Sequence, residues 1–135
     1  MREIEFRGKR DDSGEWVYGL FARCKVGNLI LPCIQREREN DSGDYIEIAI
    51  VNGETLGQYT GLKDKSKNKI FEGDILDCED RIVKVSWNEF NGTWDSVFIK
   101  YTERKLKSNG IIVADWKFKA LVIGNIHDEE ENNAI

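Results

Sequence analysis

Short runs of alternating polar and apolar residues, broken at regular intervals by turn signals, constrain this chain more than any other feature. The clearest run is RIVKVSW, Arg81 to Trp87. It sets Ile82, Lys84 and Ser86 on one side against Val83, Val85 and Trp87 on the other. Successive side chains of an extended strand point to opposite faces, so a period of two marks a strand with two different surroundings. Similar segments recur along the chain. Glu3–Phe6 and Glu15–Ala22 flank the turn residues Asp11-Asp12-Ser13-Gly14 and read as a hairpin. Asn28–Ile34 is a third strand, with Pro32 confining it to an edge or a bulge. Tyr45–Val51 and Thr55–Thr60 read as a hairpin closed by Asn52-Gly53, and Arg81–Trp87 and Trp94–Tyr101 as one closed by Asn91-Gly92. Ile111–Ala114 and Lys117–Ile126 supply the last strands. Thr102–Ser108 is the one expected helix, about two turns long, with Thr102 as cap and Gly110 as stop.

Nine or ten short strands with no βαβ alternation predict an all-β protein of antiparallel strands and exclude a Rossmann-like nucleotide fold. We expect an N-terminal β-rich subdomain over residues 1–60 and a small SH3-like or OB-like barrel over 61–126. An acidic tail without fixed structure is expected over 127–135. At 135 residues, 40% of them hydrophobic, the chain can bury a core without disulfides or a structural metal.

The three cysteines, Cys24, Cys33 and Cys78, are widely spaced and lack a CxxC pair. They read as reduced thiols rather than a disulfide framework or a zinc site. The N-terminus MREIEFRGKRDD has no apolar stretch, and no window is long enough to span a membrane, so neither a signal peptide nor a membrane anchor is expected. A cytoplasmic location follows as the expectation.

The segment GLKDKSKNKIFEGDIL, Gly61 to Leu76, invites a metal test. Asp64, Ser66, Asn68 and Glu72 fall at positions one, three, five and nine of a calcium loop. The register then fails: position six is Lys69 instead of glycine, and position twelve is Ile75 instead of a bidentate glutamate. The segment reads instead as a lysine-studded hairpin tip. Glu72-Gly73-Asp74 reads as a turn in which Gly73 takes an unusual backbone angle and Asp74 bonds nearby N–H groups, not as an acid–base pair. The single histidine, His127, adjoins the acidic tail, and no GxSxG, HExxH or GxxxxGK[ST] is present. No enzymatic activity, cofactor or metal is therefore expected.

Two features bear on binding. One is basic: Lys63, Lys65, Lys67 and Lys69, with Lys100, Arg104, Lys105 and Lys107 further on. The other is aromatic: Trp87, Phe90, Trp94, Phe98 and Tyr101. Cations interleaved with aromatic rings hold single-stranded nucleic acid on small barrels. The net charge of −5 opposes that reading, because phosphate neutralisation drives such binding. The plainer reading is preferred: core aromatics and solvated lysines that keep strand edges apart. Candidate binding residues are Lys63, Lys65, Lys67, Lys69, Trp94 and Lys105.

Three ordered blocks, IEFRGKRDDSGEWVYG, TLGQYTGLKDKSKNKIFEGDIL and VIGNIHD, give the chain a resemblance to the YopX family. These are small proteins of phages and prophages, mainly of Gram-positive bacteria. The resemblance implies an all-β protein with an SH3-like roll in its C-terminal part, a phage origin and a bacterial cytoplasmic location. It brings no activity, cofactor or catalytic residue. Relatives often carry Asn-Gly where this chain has Ser66-Lys67, which implies a different turn at the hairpin tip. The function expected is that of a non-enzymatic phage accessory module binding a host or phage protein. The alternative is a small nucleic-acid-binding β-barrel using the lysine hairpin and its neighbouring aromatics.

Overall fold

The computed structural model describes residues 3–31, 35–37, 44–46, 48–102 and 115–128, with 35–37 and 44–46 described as backbone. The chain divides into two compact units, Met1–Tyr59 and Thr60–Ile135. Both are built from antiparallel strands, so the all-β expectation holds.

In the first unit, β1 (Phe6–Lys9) and β2 (Trp16–Cys24) form the expected hairpin, in register from Phe6↔Gly19 to Lys9↔Trp16. Gly14 takes φ 73° at the turn, where a Cβ would be strained. Beside it the Arg10 guanidinium bonds the Asp12 carboxylate at 2.9 Å and holds its pKa at about 2. β3 (Gly27–Leu31) pairs with β2 on one side and with β6 (Ala49–Val51) on the other. A separate pair, β4 (Gln35–Glu37) with β5 (Asp44–Ile46), lies between them in sequence. The core gathers alternate residues of these strands: Ile30, Ala49 and Val51, with Phe6, Val17, Phe21 and Leu56 packed on them. On the opposite face, Arg7 and Lys9 place their cations 4.4 Å and 5.3 Å from the centre of the Trp16 ring.

β7 (Gly57–Lys63) begins in this unit, where Gly57 and Gln58 pair with Arg7 and Phe6. It is then hydrogen-bonded to β8 (Lys69–Phe71) in the second unit. There a four-stranded sheet runs in the order β11-β10-β9-β12, from β9 (Asp74–Asp77), β10 (Arg81–Asn88), β11 (Thr93–Tyr101) and β12 (Leu121–Asn125). The core cluster comprises Ile70, Leu76, Cys78, Val83, Val85, Trp116 and Ala120, with Leu62, Trp94 and Val122 packed against it.

Several expectations are corrected. Among the described residues the C-terminal sheet is open, with β11 and β12 as its edges, so the expected closed barrel is not formed. The first strand starts at Phe6, not Glu3, and Ile4 is exposed. Tyr45–Val51 is two strands with different partners rather than one. Asn52-Gly53 does not close a hairpin. The Asn52 side chain accepts the Glu54 N–H at 3.0 Å and caps a single 3-10 turn over Gly53–Thr55, which sends β7 to β1 instead of back to β6. Lys117–Ile126 is divided between the one-turn helix α1 (Trp116–Lys119) and β12, because Trp116 and Ala120, four residues apart, both bury against the core. Thr102 bonds the carbonyls of Glu79 and Asp80, while the remainder of the expected helix to Ser108, the strand Ile111–Ala114, Pro32–Ile34 and residues 129–135 lie outside the described residues.

Candidate interaction surfaces

The second unit presents two surfaces with chemical character. The first is the β10–β11 hairpin. Asn88 organises its tip: its side-chain oxygen accepts the Asn91 N–H at 3.1 Å, its carbonyl accepts the Gly92 N–H at 2.8 Å, and its amide donates to Asp95 at 2.7 Å. Gly92 at φ 67° completes the turn. Phe90, on that turn, is 97% exposed. Trp87 and Trp94 face each other across the two strands, edge to face at 4.9 Å. Farther along, Ile99 is an extra residue: the register shifts between Val83↔Phe98 and Ile82↔Lys100. This bulge brings Phe98 and Tyr101 to 4.9 Å between ring centres.

The plainer sequence reading, in which these aromatics form core, holds for one of the five. Trp94 packs on the core cluster with its Nε1 buried and, among the described residues, without a hydrogen-bond partner. Trp87, Phe90, Phe98 and Tyr101 are all exposed, as are Val97 and Ile99. Alternation left this open because it sorts residues onto two faces without saying which face is covered.

The second surface is the loop between β7 and β8. Lys63, Lys65 and Lys67 are exposed and Lys69 is half-buried. Lys105 lies outside the described residues. Beneath the lysines lies Asp64, 2% exposed. One of its oxygens accepts the N–H groups of Ser66 at 2.9 Å and Asn68 at 2.8 Å. The other accepts the Val122 N–H at 3.0 Å and the Asn68 side-chain amide at 3.3 Å. Lys67 is held at φ 66°, an angle uncommon for a residue with a Cβ. The Asp-x-Ser-x-Asn spacing that suggests a calcium register is thus an aspartate tied into its own loop, with backbone N–H groups on its oxygens.

The next turn is built the same way. Gly73 takes φ 84° and Asp74 accepts the Phe71 N–H at 2.7 Å, as the turn reading expects. Asp74 also accepts the Asn125 side-chain amide at 3.1 Å. Arg81 grips Asp80 through two hydrogen bonds of 3.0 Å and 2.8 Å, and this carboxylate raises its pKa further. Among the described residues, no cluster of three or more His, Cys, Asp or Glu side chains is arranged to hold a metal ion. None of their helices is long and apolar enough to cross a membrane.

Comparison with known proteins agrees with this fold. The crystal structure of protein EF1440 from Enterococcus faecalis superposes with a TM-score of 0.60 over 98% of this chain and 99% of that one, at 23% sequence identity. No curated protein matches the chain. The family model described as YopX protein matches residues 5–132, nearly the whole length, and the chain belongs to the YopX family.

Proposed function

We propose that this protein is a non-enzymatic accessory module of a phage or prophage, acting in the bacterial cytoplasm by binding a host or phage protein. The observation that carries the reading is β11. Among the described residues it has β10 on one side and no strand on the other, while Val97, Phe98, Ile99 and Tyr101 are exposed. A long apolar edge strand is an aggregation hazard that folded proteins ordinarily blunt. Its retention is reasonable where a partner covers it. An extended segment of that partner, laid along β11, gains main-chain hydrogen bonds from the strand edge and side-chain contacts from Val97, Phe98 and Tyr101. The Ile99 bulge limits regular pairing to the stretch before it, Thr93–Phe98.

The test is affinity capture from cells in which the prophage is induced, with the wild-type chain and the Val97→Lys/Ile99→Lys double variant as baits. Both substituted side chains are exposed, so the fold tolerates the change. A protein retained by the wild type and lost by the variant is the expected result. Equal retention by both baits, or nothing above background with either, refutes strand addition at β11.

A further inference from the structure

We propose that the lysine loop and α1 together form a platform for single-stranded nucleic acid, distinct from the pairing edge of β11, which α1 adjoins through the Trp116 Nε1–H bond to Ser96 Oγ at 3.2 Å. The sequence places these segments far apart, but main-chain atoms fasten them together. The Lys65 N–H donates to the Ala120 carbonyl at 3.0 Å, and the Val122 N–H donates to the Asp64 carboxylate across 58 residues. Lys63, Lys65 and Lys67 therefore lie on a segment that adjoins α1, which carries exposed Lys117 and half-buried Lys119. Segments 63–69 and 115–120 hold six lysines against two aspartates. One of these, Asp64, is buried beneath its own hydrogen bonds, so the charge turned to solvent is positive.

The overall charge of −5 does not cancel this surface. At physiological ionic strength, fields decay over about 8 Å, so a phosphate at the platform is governed by the nearest lysines. Phe118 supplies the second element. It is 67% exposed on α1, with the Lys117 ammonium 4.8 Å from its ring centre. A solvated phenyl ring flanked by ammonium groups can stack a base while its neighbours neutralise the adjoining phosphates. The Asp64 bonds fix the loop backbone before any ligand arrives, which lowers the ordering cost of binding. A duplex keeps its bases stacked inside and offers the ring nothing. An acidic peptide uses the lysines but has no need of the ring.

Fluorescence anisotropy with a labelled oligothymidylate of about 20 nucleotides, starting at about 50 mM salt, tests the proposal. Binding that falls with salt is expected. Lys65→Gln/Lys67→Gln/Lys117→Gln should reduce the log–log salt slope by about 2, since each of the three ammonium groups that no longer neutralises a phosphate lowers it by about 0.7. Phe118→Ala should weaken binding about 5- to 150-fold and leave the slope unchanged. Lys25→Gln, an exposed lysine of the other unit, should change neither. The proposal is overturned by no anisotropy change at the lowest salt, by wild-type affinity in Phe118→Ala, or by equal affinity for the duplex. Polyglutamate displacing the probe as well as unlabelled oligothymidylate does would also overturn it, in favour of an acidic protein ligand. A neutral β11 variant, Val97→Ser/Ile99→Ser, should bind the oligonucleotide normally, so this proposal and strand addition fail independently.

Discussion

Replacing Asp64 with alanine tests whether one buried carboxylate holds the lysine loop to β12. The substitution strips the acceptor from three backbone N–H groups, those of Ser66, Asn68 and Val122. Hydrogen bonds to a charged acceptor contribute about 1.5–3 kcal/mol each, net of water. Ser66 and Asn68 lie on an exposed loop, where water can replace the lost acceptor, so their share falls at or below the low end of that range. Val122 is half-buried against the core cluster, and its N–H is harder to resolvate. Removing the carboxylate also recovers part of the cost of burying a charge. The balance is a loss of about 2–4 kcal/mol. For a unit of this size it lowers Tm by about 10–30 °C.

Asp64→Asn separates the contributions. Whichever way the amide is turned, a single oxygen remains for three N–H groups, and the NH2 points a donor at another donor. A loss of about half that of Asp64→Ala is expected. Urea unfolding followed by tryptophan fluorescence reads the change, since Trp94 and Trp116 lie in or against the core of the same unit. Amide exchange at Val122 reads the local contact and should accelerate in both variants. A loss for Asp64→Ala below about 0.5 kcal/mol, typical of an inert surface site, with unchanged exchange at Val122, would show that Asp64 does not fasten the loop.

Two other predictions rest on the same unit. Gly73→Ala should destabilise by more than Gly92→Ala, as measured by urea unfolding. Both glycines have positive φ, 84° and 67°, and share a backbone cost of about 1–2 kcal/mol. At Gly73 alone a Cβ meets Asn125 Nδ2 at 3.1 Å and Ile126 Cγ1 at 3.3 Å, so equal losses contradict the packing described. Burial, aided by the neighbouring Asp77 and Asp80, pushes the Cys78 thiol from 9.0 to about 12. A disulfide reagent should label exposed Cys24 in the native chain and reach Cys78 only after unfolding, which peptide mapping can follow. Above pH 9.0 the unfolded chain gives up this proton while the folded chain keeps it until about 12, so stability declines with pH across that window. Cys78→Ala should make the decline shallower, and an unchanged slope contradicts the assignment.

What the sequence made legible was local. The β1–β2 and β10–β11 hairpins follow from alternation and from turn residues that lie within a few positions of one another. The failures are of two kinds. At Asn52 a side-chain bond to Glu54 competes with the turn that Asn-Gly ordinarily favours, and the dipeptide alone does not say which prevails. At Lys117-Phe118-Lys119-Ala120 a one-turn helix is too short to show a helical period, and its residues alternate as a strand would. The lysine loop was legible as a cationic turn. Its junction with α1 was not, because Lys65 N and Ala120 O are main-chain atoms and leave no mark on residue identity.

Two of the blocks that carry the family resemblance are tied to one another by this architecture. Among the described residues β12 is an edge strand, paired to β9 with an irregular register between Val122 and Gly124. An interrupted ladder on one side leaves such a strand dependent on polar ties. Asp64 supplies one at Val122, and Asp74 supplies another at Asn125. Asn125 in turn accepts the His127 N–H on its side-chain oxygen and the Asp128 N–H on its carbonyl, while Gly73 accepts the Ile126 N–H. Asp64, Gly73 and Asp74 belong to GLKDKSKNKIFEGDIL, and Val122, Asn125 and His127 to VIGNIHD. The two blocks are thus opposite sides of one set of hydrogen bonds. Each buried carboxylate takes donors both from its own block and from the other, so the hydrogen bonds join the two blocks. The exposed lysines, Phe118 and the β11 side chains can therefore be substituted without disturbing the frame that presents them.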